Sequence, residues 1–241
     1  MIDPRPIAAL IRHATEAVVL PRFRTLAPEQ IREKKPGDFV TVADTECEEM
    51  LTRLLTEALP GSLVCGEEAV ARDATVLERL HRPAPVWVID PVDGTSNFAK
   101  GSAEFTVIVA LVEAGVTKAG WIHDPVNNRT IHATLGGGAR DGDRQLQITG
   151  GRPLGDLSGS AYGNAPGRSY SAKLLGESKA VGCISNTGCG GIDYFRMAEA
   201  TRDFKFSSMS LPWDHAAGML IMKEAGAVAR FFDGSTYSVF R

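Results

Sequence analysis

The chain has 241 residues and a formal net charge of -3, with 44% apolar and 23% charged residues, as in ordinary soluble globular proteins. This charge provides no basic surface for nucleic acid or an anionic membrane. No apolar run approaches the roughly 20 residues of a membrane helix, and the length suffices for one large unit with a full core.

The N-terminal residues and the cysteines indicate a cytoplasmic protein. Residues 1–6 lack the charged-then-apolar layout of a signal peptide. The cysteines show neither paired CxxC spacing nor the density of a disulfide scaffold, so we expect free thiols in a reducing compartment. They are Cys47, Cys65, Cys183 and Cys189. We expect neither a membrane segment nor a nucleic-acid partner.

The first half of the chain predicts an α+β unit. Apolar spacing predicts helices at 7–20, 47–58 and 74–80. Strand-like runs occur at 39–44, 62–65, 86–89, 105–112, 116–123 and 129–134. Short turns join the last three runs, which we therefore expect to form antiparallel hairpins. Residues 22–38 are largely polar, and residues 34–38 predict a loop.

The second half alternates strands and helices. Glycines at 136–138 and the 141–143 turn predict a division into halves 1–138 and 139–241 within one structural unit. The later strand candidates are 159–162, 181–185, 202–206 and 227–232, and the helix candidates are 171–178, 190–200 and 212–224. This alternation predicts an α+β fold that grades into α/β.

Paired acids follow the apolar run 86–89. Asp90 and Asp93 flank a Pro-Val step, and Gly94 lets the backbone approach a ligand closely. Grouped carboxylates suit Mg²⁺, and the backbone N–H groups after Asp93 suit a phosphate. The alternative is a turn stabilised only by hydrogen bonds to its own Asp side chains.

Further acids share this arrangement. Glu67 and Glu68 follow a strand end and a glycine, while Asp44 and Asp214 lie at predicted helix starts. Each alone is also explained by a solvated loop or a helix cap. Their occurrence together with Asp90 makes a shared site the stronger interpretation.

Three motifs together resemble the inositol monophosphatase family of Mg²⁺-dependent, Li⁺-sensitive phosphatases. They are Gly66-Glu67-Glu68, Asp90-Pro91-Val92-Asp93-Gly94-Thr95-Ser96-Asn97-Phe98 and Trp213-Asp214-His215-Ala216-Ala217-Gly218. Residues 38–44 and the segment after Gly188 resemble the family's upstream and substrate-side motifs. The resemblance covers about residues 34–232 and implies a layered α-β-α-β-α sandwich that forms a homodimer.

The resemblance also implies roles for individual residues. Two or three Mg²⁺ ions are implied; the ligands would be Glu67, Asp90 and the Val92 carbonyl for the first ion, and Asp90, Asp93 and Asp214 for the second. Asp44 and Thr95 resemble the pair that activates the attacking water, with Glu67 as a further catalytic residue. The substrate-binding residues implied are Gly94, Thr95, Gly188 and Ser207. His215 is interpreted as structural.

Several positions depart from the family pattern or stay open. Ser207 stands where inositol-selective members usually carry a glutamate, which puts inositol preference in doubt. Lys205 either recognises a second anionic group or is solvated. Lys34 or Lys35 likewise either matches a lysine that the family places near the metals or is a solvated surface lysine. Family members usually continue past the Asp233-Gly234 turn with one more strand and a short helix; we expect their lack to affect stability more than chemistry.

The sequence therefore predicts Mg²⁺-dependent hydrolysis of a small phosphorylated metabolite. The alternatives are a sugar phosphate, histidinol phosphate or 3′-phosphoadenosine nucleotide as substrate, and a non-catalytic partner-binding protein on the same scaffold. Discrimination among the substrates depends on residues 163–168, 188–190 and 205–210.

Overall fold

A computed structural model describes residues 2–162 and 181–240. The helices in this part of the chain are α1 (Pro4–Ala14), α2 (Val42–Ala58), α3 (Glu67–Arg72), α4 (Thr95–Ala99), α5 (Gly190–Ala198) and α6 (Pro212–Glu224). The strands are β1 (Ile31–Lys35), β2 (Asp38–Thr41), β3 (Leu63–Gly66), β4 (Val86–Asp93), β5 (Thr106–Glu113), β6 (Val116–Asp124), β7 (Arg129–Thr134), β8 (Gly138–Asp141), β9 (Arg144–Leu146), β10 (Ser158–Tyr162), β11 (Cys183–Ile184) and β12 (Phe204–Ser207). A π-helical turn (Thr15–Val19) extends α1, and the predicted helix at 74–80 is a 3₁₀ helix (Ala74–His81).

The main sheet of the described residues has seven strands in the order β3 to β9. β3 and β4 pair in parallel, whereas the remaining neighbours are antiparallel, which confirms the predicted hairpins. Both faces of β4 are buried, which explains its continuous apolar sequence. Trp87 and Ile89 pack with α1 and α2, while Val86 and Val88 face the core formed with α5 and α6.

Helix α6 lies in a trough on the main sheet. Ala110, Gly120 and Ala133 are paired across three neighbouring strands, so these small residues form one row on one face. A side chain at Gly120 would lie 2.7 Å from the Cα of Ala217, because the helix backbone rests directly on the strand there. This contact sets the height of α6 above the sheet.

A second sheet carries the substrate-side strands. Among the described residues it is parallel, with the order β11-β10-β12. Helix α5 contacts β5 and β6 on one side and β12 on the other, and so lies between the two sheets. The described residues thus form a layered α+β architecture, as predicted. The predicted helix 171–178 and the stretch 163–168 lie outside the described residues.

Two predictions about secondary structure are wrong. Lys34 and Lys35, expected in a loop, lie on β1, which pairs with β2 in an antiparallel hairpin. The strand expected at 227–232 is absent from the described structure; its backbone makes one isolated bridge, between Arg230 and Thr236.

The main sheet also continues past residue 138 through β8 and β9, so the division into halves 1–138 and 139–241 stays a prediction. No helix in the part of the chain that the structure describes is both long and apolar enough to cross a membrane.

Candidate active site

The end of β4 presents Asp90 and Asp93. The pairing of β4 with β5 shifts register between these residues, so the strand is irregular where the acids occur. Gly94 follows with φ +88°, and a Cβ there would lie 2.9 Å from the Glu104 carbonyl oxygen. Only glycine fits this left-handed position comfortably, and α4 begins at the next residue.

Three acids, Asp90 on β4, Glu67 on α3 and Asp214 on α6, have raised pKa values. Asp90 is 2% exposed, and its pKa is raised well above its usual range by burial and then by the charges of Glu67, Asp93 and Asp214. Burial, Asp93 and Glu67 raise the pKa of Asp214, in the first turn of α6, to about 8. The pKa of Glu67 is also raised, mainly by burial. The site therefore holds excess negative charge that a cation would offset.

Asp44 and Thr95 are in direct contact. The Thr95 hydroxyl lies 2.9 Å from Asp44 Oδ1 and 2.9 Å from the Val92 carbonyl oxygen. Asp44 Oδ2 accepts hydrogen bonds from the backbone N–H and the hydroxyl of Thr41, at 2.8 and 2.5 Å. Despite these bonds, burial raises the pKa of Asp44 to about 7. A carboxyl group of this pKa can exchange a proton near neutral pH.

Lys34, and not Lys35, faces the acidic cluster. Its ammonium lies 2.9 Å from Glu67 Oε1 and 3.0 Å from Glu68 Oε1, whereas Lys35 is exposed. The two carboxylates raise the pKa of Lys34 against the effect of burial, so it stays charged. The hairpin β1–β2, which the sequence did not predict, brings this cation to the site.

Glu48, a buried acid on α2 like Asp44, fixes the start of α3. Its carboxylate accepts the backbone N–H groups of Glu68 and Ala69, each at 2.8 Å. A Cβ at Gly66 would lie 2.3 Å from the Glu48 carboxyl carbon, so glycine is needed for this contact. Gly66 therefore acts through Glu48 to orient Glu67 and Glu68.

Asp93 is held by the N-terminal end of α5. Its Oδ1 accepts the Gly190 N–H at 3.1 Å, and Oδ2 accepts the Gly191 N–H. The Cys189 thiol donates to Oδ2 at 3.1 Å, and the Thr106 hydroxyl donates to the same oxygen at 3.1 Å. These contacts orient the carboxylate between β4 and α5.

A cavity of about 200 Å³ adjoins these acids and collects most of the remaining predicted residues. It is lined by Asp93, Tyr162, Gly188, Gly190, Lys205, Ser207, Met209, Asp214 and His215. The Ser207 hydroxyl is occupied by its own loop, donating to the Met209 carbonyl at 2.8 Å. His215 is bonded on both ring nitrogens, to Tyr194 and Met209, and burial lowers its pKa to about 3, in keeping with a structural role.

The donor set fits a divalent cation. Within residues 2–162 and 181–240, no three His, Cys, Asp or Glu side chains already form a closed metal site. The acids instead contact Lys34, threonine hydroxyls and backbone N–H groups, as described above. Carboxylate and carbonyl oxygens are nevertheless the donors Mg²⁺ takes, and the raised pKa values of Asp90, Glu67 and Asp214 are the signature of uncompensated acids.

Sequence reasoning gave no individual role to three residues that shape the site. Glu48, Cys189 and Gly190 contact the acids or their supporting backbone; Cys189 and Gly190 lie in the substrate-side segment 188–190, whereas Glu48 belongs to no recognised motif. An acid at an otherwise apolar face of α2 was a signal for Glu48. No comparable signal in the sequence marks Cys189, whose partner is far away along the chain.

The fold and the site together define a class of protein. It is a layered α+β protein that clusters acids at one end of a sheet, beside a small cavity. The chain belongs to the inositol monophosphatase family, whose model matches residues 6–240. That family is one of phosphatases, and this membership places the chain among the hydrolases.

The relatives support the same family. The chain is 32% identical to an inositol-1-monophosphatase of Mesorhizobium japonicum, over 85% of this chain and 76% of the relative. It is 31% identical to the Nus factor SuhB of Vibrio cholerae, over 86% of this chain and 77% of the relative. The structure of the Thermotoga maritima IMPase superposes with a TM-score of 0.82 and 26% identity, over 97% of this chain and 87% of that one. The predicted family and fold are confirmed.

Proposed function

We propose that this protein hydrolyses a small phosphate monoester in a Mg²⁺-dependent, Li⁺-sensitive reaction. The observation that carries the proposal is the cluster of Asp90, Glu67 and Asp214, which come from three separate elements and whose pKa values are raised by burial and by one another's charges. Buried acids that repel one another are costly without a cation. Membership in a phosphatase family supports the same chemistry.

The proposed metal ligands come from α3, β4 and α6. Glu67, Asp90 and the Val92 carbonyl would hold a first Mg²⁺ ion, and Asp90, Asp93 and Asp214 a second. Bound Mg²⁺ supplies positive charge that offsets the phosphate dianion and the developing charge on the leaving oxygen. The Val92 carbonyl oxygen also accepts a hydrogen bond from the Thr95 hydroxyl, which holds this carbonyl in the turn after Asp90.

Asp44 and Thr95 are proposed to handle the proton of the attacking water. The Thr95 hydroxyl lies between the carboxylate of Asp44 and the Val92 carbonyl oxygen. The pKa of about 7 suits Asp44 to accept a proton near neutral pH. Backbone N–H groups at Gly94 and Thr95, at the start of α4, are proposed to bind the phosphate. Gly188 and Ser207 would contact the leaving group.

The test is phosphate release from a panel of esters with Mg²⁺, with EDTA and with added Li⁺. The panel holds inositol 1-phosphate, fructose 1,6-bisphosphate, histidinol phosphate, glycerol 2-phosphate and 3′-phosphoadenosine 5′-phosphate. We expect release that needs Mg²⁺ and is blocked by Li⁺, and the preferred ester identifies the substrate class. Asp93→Asn should lose about 100-fold or more in activity while remaining folded, and exposed Asp143→Asn should not. Full turnover by Asp93→Asn would refute the ligand assignment.

The setting of the reaction is proposed on weaker grounds. The free cysteines and the net charge of -3 support a cytoplasmic protein with no nucleic-acid partner. A homodimer is proposed from the family resemblance. Gel filtration with light scattering would test it.

A second candidate function is partner binding without catalysis. It is favoured by the 31% identity to a relative that is named a Nus factor. Phosphate release by the wild type that Asp93→Asn abolishes would support the enzyme. Folded wild-type protein that binds Mg²⁺ but releases no phosphate from the panel would favour the binding role.

A further inference from the structure

Lys205 introduces a positive charge into the candidate active site. It lies on β12, is half-buried, and lines the cavity that also contacts Asp93 and Asp214. His215 in the same wall has both ring nitrogens occupied by hydrogen bonds to Tyr194 and Met209, so it offers no donor to a ligand. Among the described residues that line this cavity, Lys205 is the one lysine or arginine.

The ammonium group has hydrogen-bonding capacity to spare. Among the described residues, its acceptor is the Gly190 carbonyl oxygen, at 3.1 Å. It also lies over the rings of Tyr194 and Tyr162, at 4.1 and 5.6 Å from the centroids. An ammonium has three N–H donors and strongly favours anionic acceptors. With one hydrogen bond among the described residues, the ammonium has donor capacity left for an anionic ligand.

The chain makes room for this ammonium at Gly190. A Cβ there would lie 2.6 Å from the Lys205 nitrogen, so a side chain would displace it. The Gly190 N–H meanwhile bonds Asp93, which places the cation beside the acidic end of the cavity. Glycine at this position and lysine on β12 form a matched pair.

In the part of the chain that the structure describes, the Ser207 side of the cavity offers no carboxylate to the hydroxyl groups of a polyol. Ser207 is already bonded to Met209, so no charged acceptor for substrate hydroxyls comes from that position. Lys205 also lies at the junction with a second cavity, of about 430 Å³, lined in part by Phe206 and Phe232. A leaving group longer than the first cavity therefore passes Lys205.

We infer that Lys205 binds a second anionic group, a carboxylate or a phosphate, on the leaving alcohol of the substrate. The preferred ester would then carry two anionic groups. This inference rests on the proposed phosphatase function and specifies its substrate class.

The experiment compares esters in matched pairs. Glycerol 2-phosphate and 2-phosphoglycerate differ by a carboxylate; fructose 1-phosphate and fructose 1,6-bisphosphate differ by a phosphate. We expect the wild type to prefer the more anionic member of at least one pair by about 10- to 100-fold in kcat/KM, mainly through KM. Which pair shows the preference identifies the anion.

Variants then assign the preference to Lys205. Lys205→Met should abolish the preference and Lys205→Arg should retain part of it, while the exposed control Lys223→Met should leave it unchanged. Gly190→Ala, which keeps the lysine but displaces its ammonium, should also reduce the preference. It provides a second test if Lys205→Met fails to fold by circular dichroism.

Three outcomes would overturn the inference. The first is a wild type with no preference in either pair. The second is an equal loss on both members in Lys205→Met, which would mean that Lys205 only offsets the charges of Asp93 and Asp214. The third, no phosphate release by the wild type from any ester, would overturn the proposed function together with the inference and is thus distinguishable from the other two.

Discussion

Replacing Lys34 by Met should destabilise the protein in a way that Mg²⁺ corrects. The side chain of Lys34 is 17% exposed, and its ammonium pairs with Glu67 and Glu68, whose side chains are 20% and 6% exposed. Removing one partner of a buried ion pair costs about 3–5 kcal/mol. Residual solvent contact and protonation of Glu67 reduce this, so we expect a loss of about 2–3 kcal/mol in EDTA.

The assay is urea unfolding of Lys34→Met and Lys35→Met, each with EDTA and with Mg²⁺. Lys35 is the matched control because it is adjacent in sequence and exposed. We expect Lys35→Met to change the free energy of unfolding by less than about 0.5 kcal/mol. Since Mg²⁺ at Glu67 would replace the lost charge, the deficit of Lys34→Met should shrink to about 1 kcal/mol or less. Equal losses in EDTA would refute the ion-pair reasoning, and an undiminished loss in Mg²⁺ would refute the proposed role of Glu67.

Two further predictions concern the supports of the site. Burial raises the pKa of Glu48 from 4.5 to about 7, so the folded state holds a proton that the unfolded state releases, and stability falls as pH rises through this window. Glu48→Gln should flatten the dependence of the urea midpoint on pH between 5 and 8; an unchanged slope would contradict this. Gly94→Ala should cost at least about 1 kcal/mol more than Gly61→Ala, because both have positive φ but only Gly94 adds a contact at 2.9 Å. Equal urea midpoints for these two variants would show that the contact relaxes freely.

The sequence predicted the elements whose signal is local. The turn at Asp90 and Asp93 follows an apolar strand with Pro and Gly beside the acids, and Pro212 begins α6 just before Asp214. All three acids belong to one cluster, as predicted from their occurrence together. Hairpins β5 to β7 were predictable because short turns separate strongly apolar runs.

The missing parts depend on contacts between distant residues. The sequence did not predict β1 as a strand, because IREKK is almost entirely polar. Its pairing with β2 is what makes it a strand. The reverse error occurred at 227–232, where apolar residues alone predicted a strand, although Val228 is 83% exposed. The choice between Lys34 and Lys35 likewise needed the hairpin register, since neighbours on a strand point to opposite faces.

Gly120 affects the candidate active site without contacting it, because it sets the position of α6 on the main sheet. Asp214 rides on α6, and α6 rests on the backbone at Gly120, where a methyl group would meet Ala217 at 2.7 Å. Lifting the helix by even an ångström would carry Asp214 away from Asp93 while every acid remained in the sequence. The substitution Gly120→Ala would thus remove the proposed catalytic activity although every motif of the family remained in the sequence.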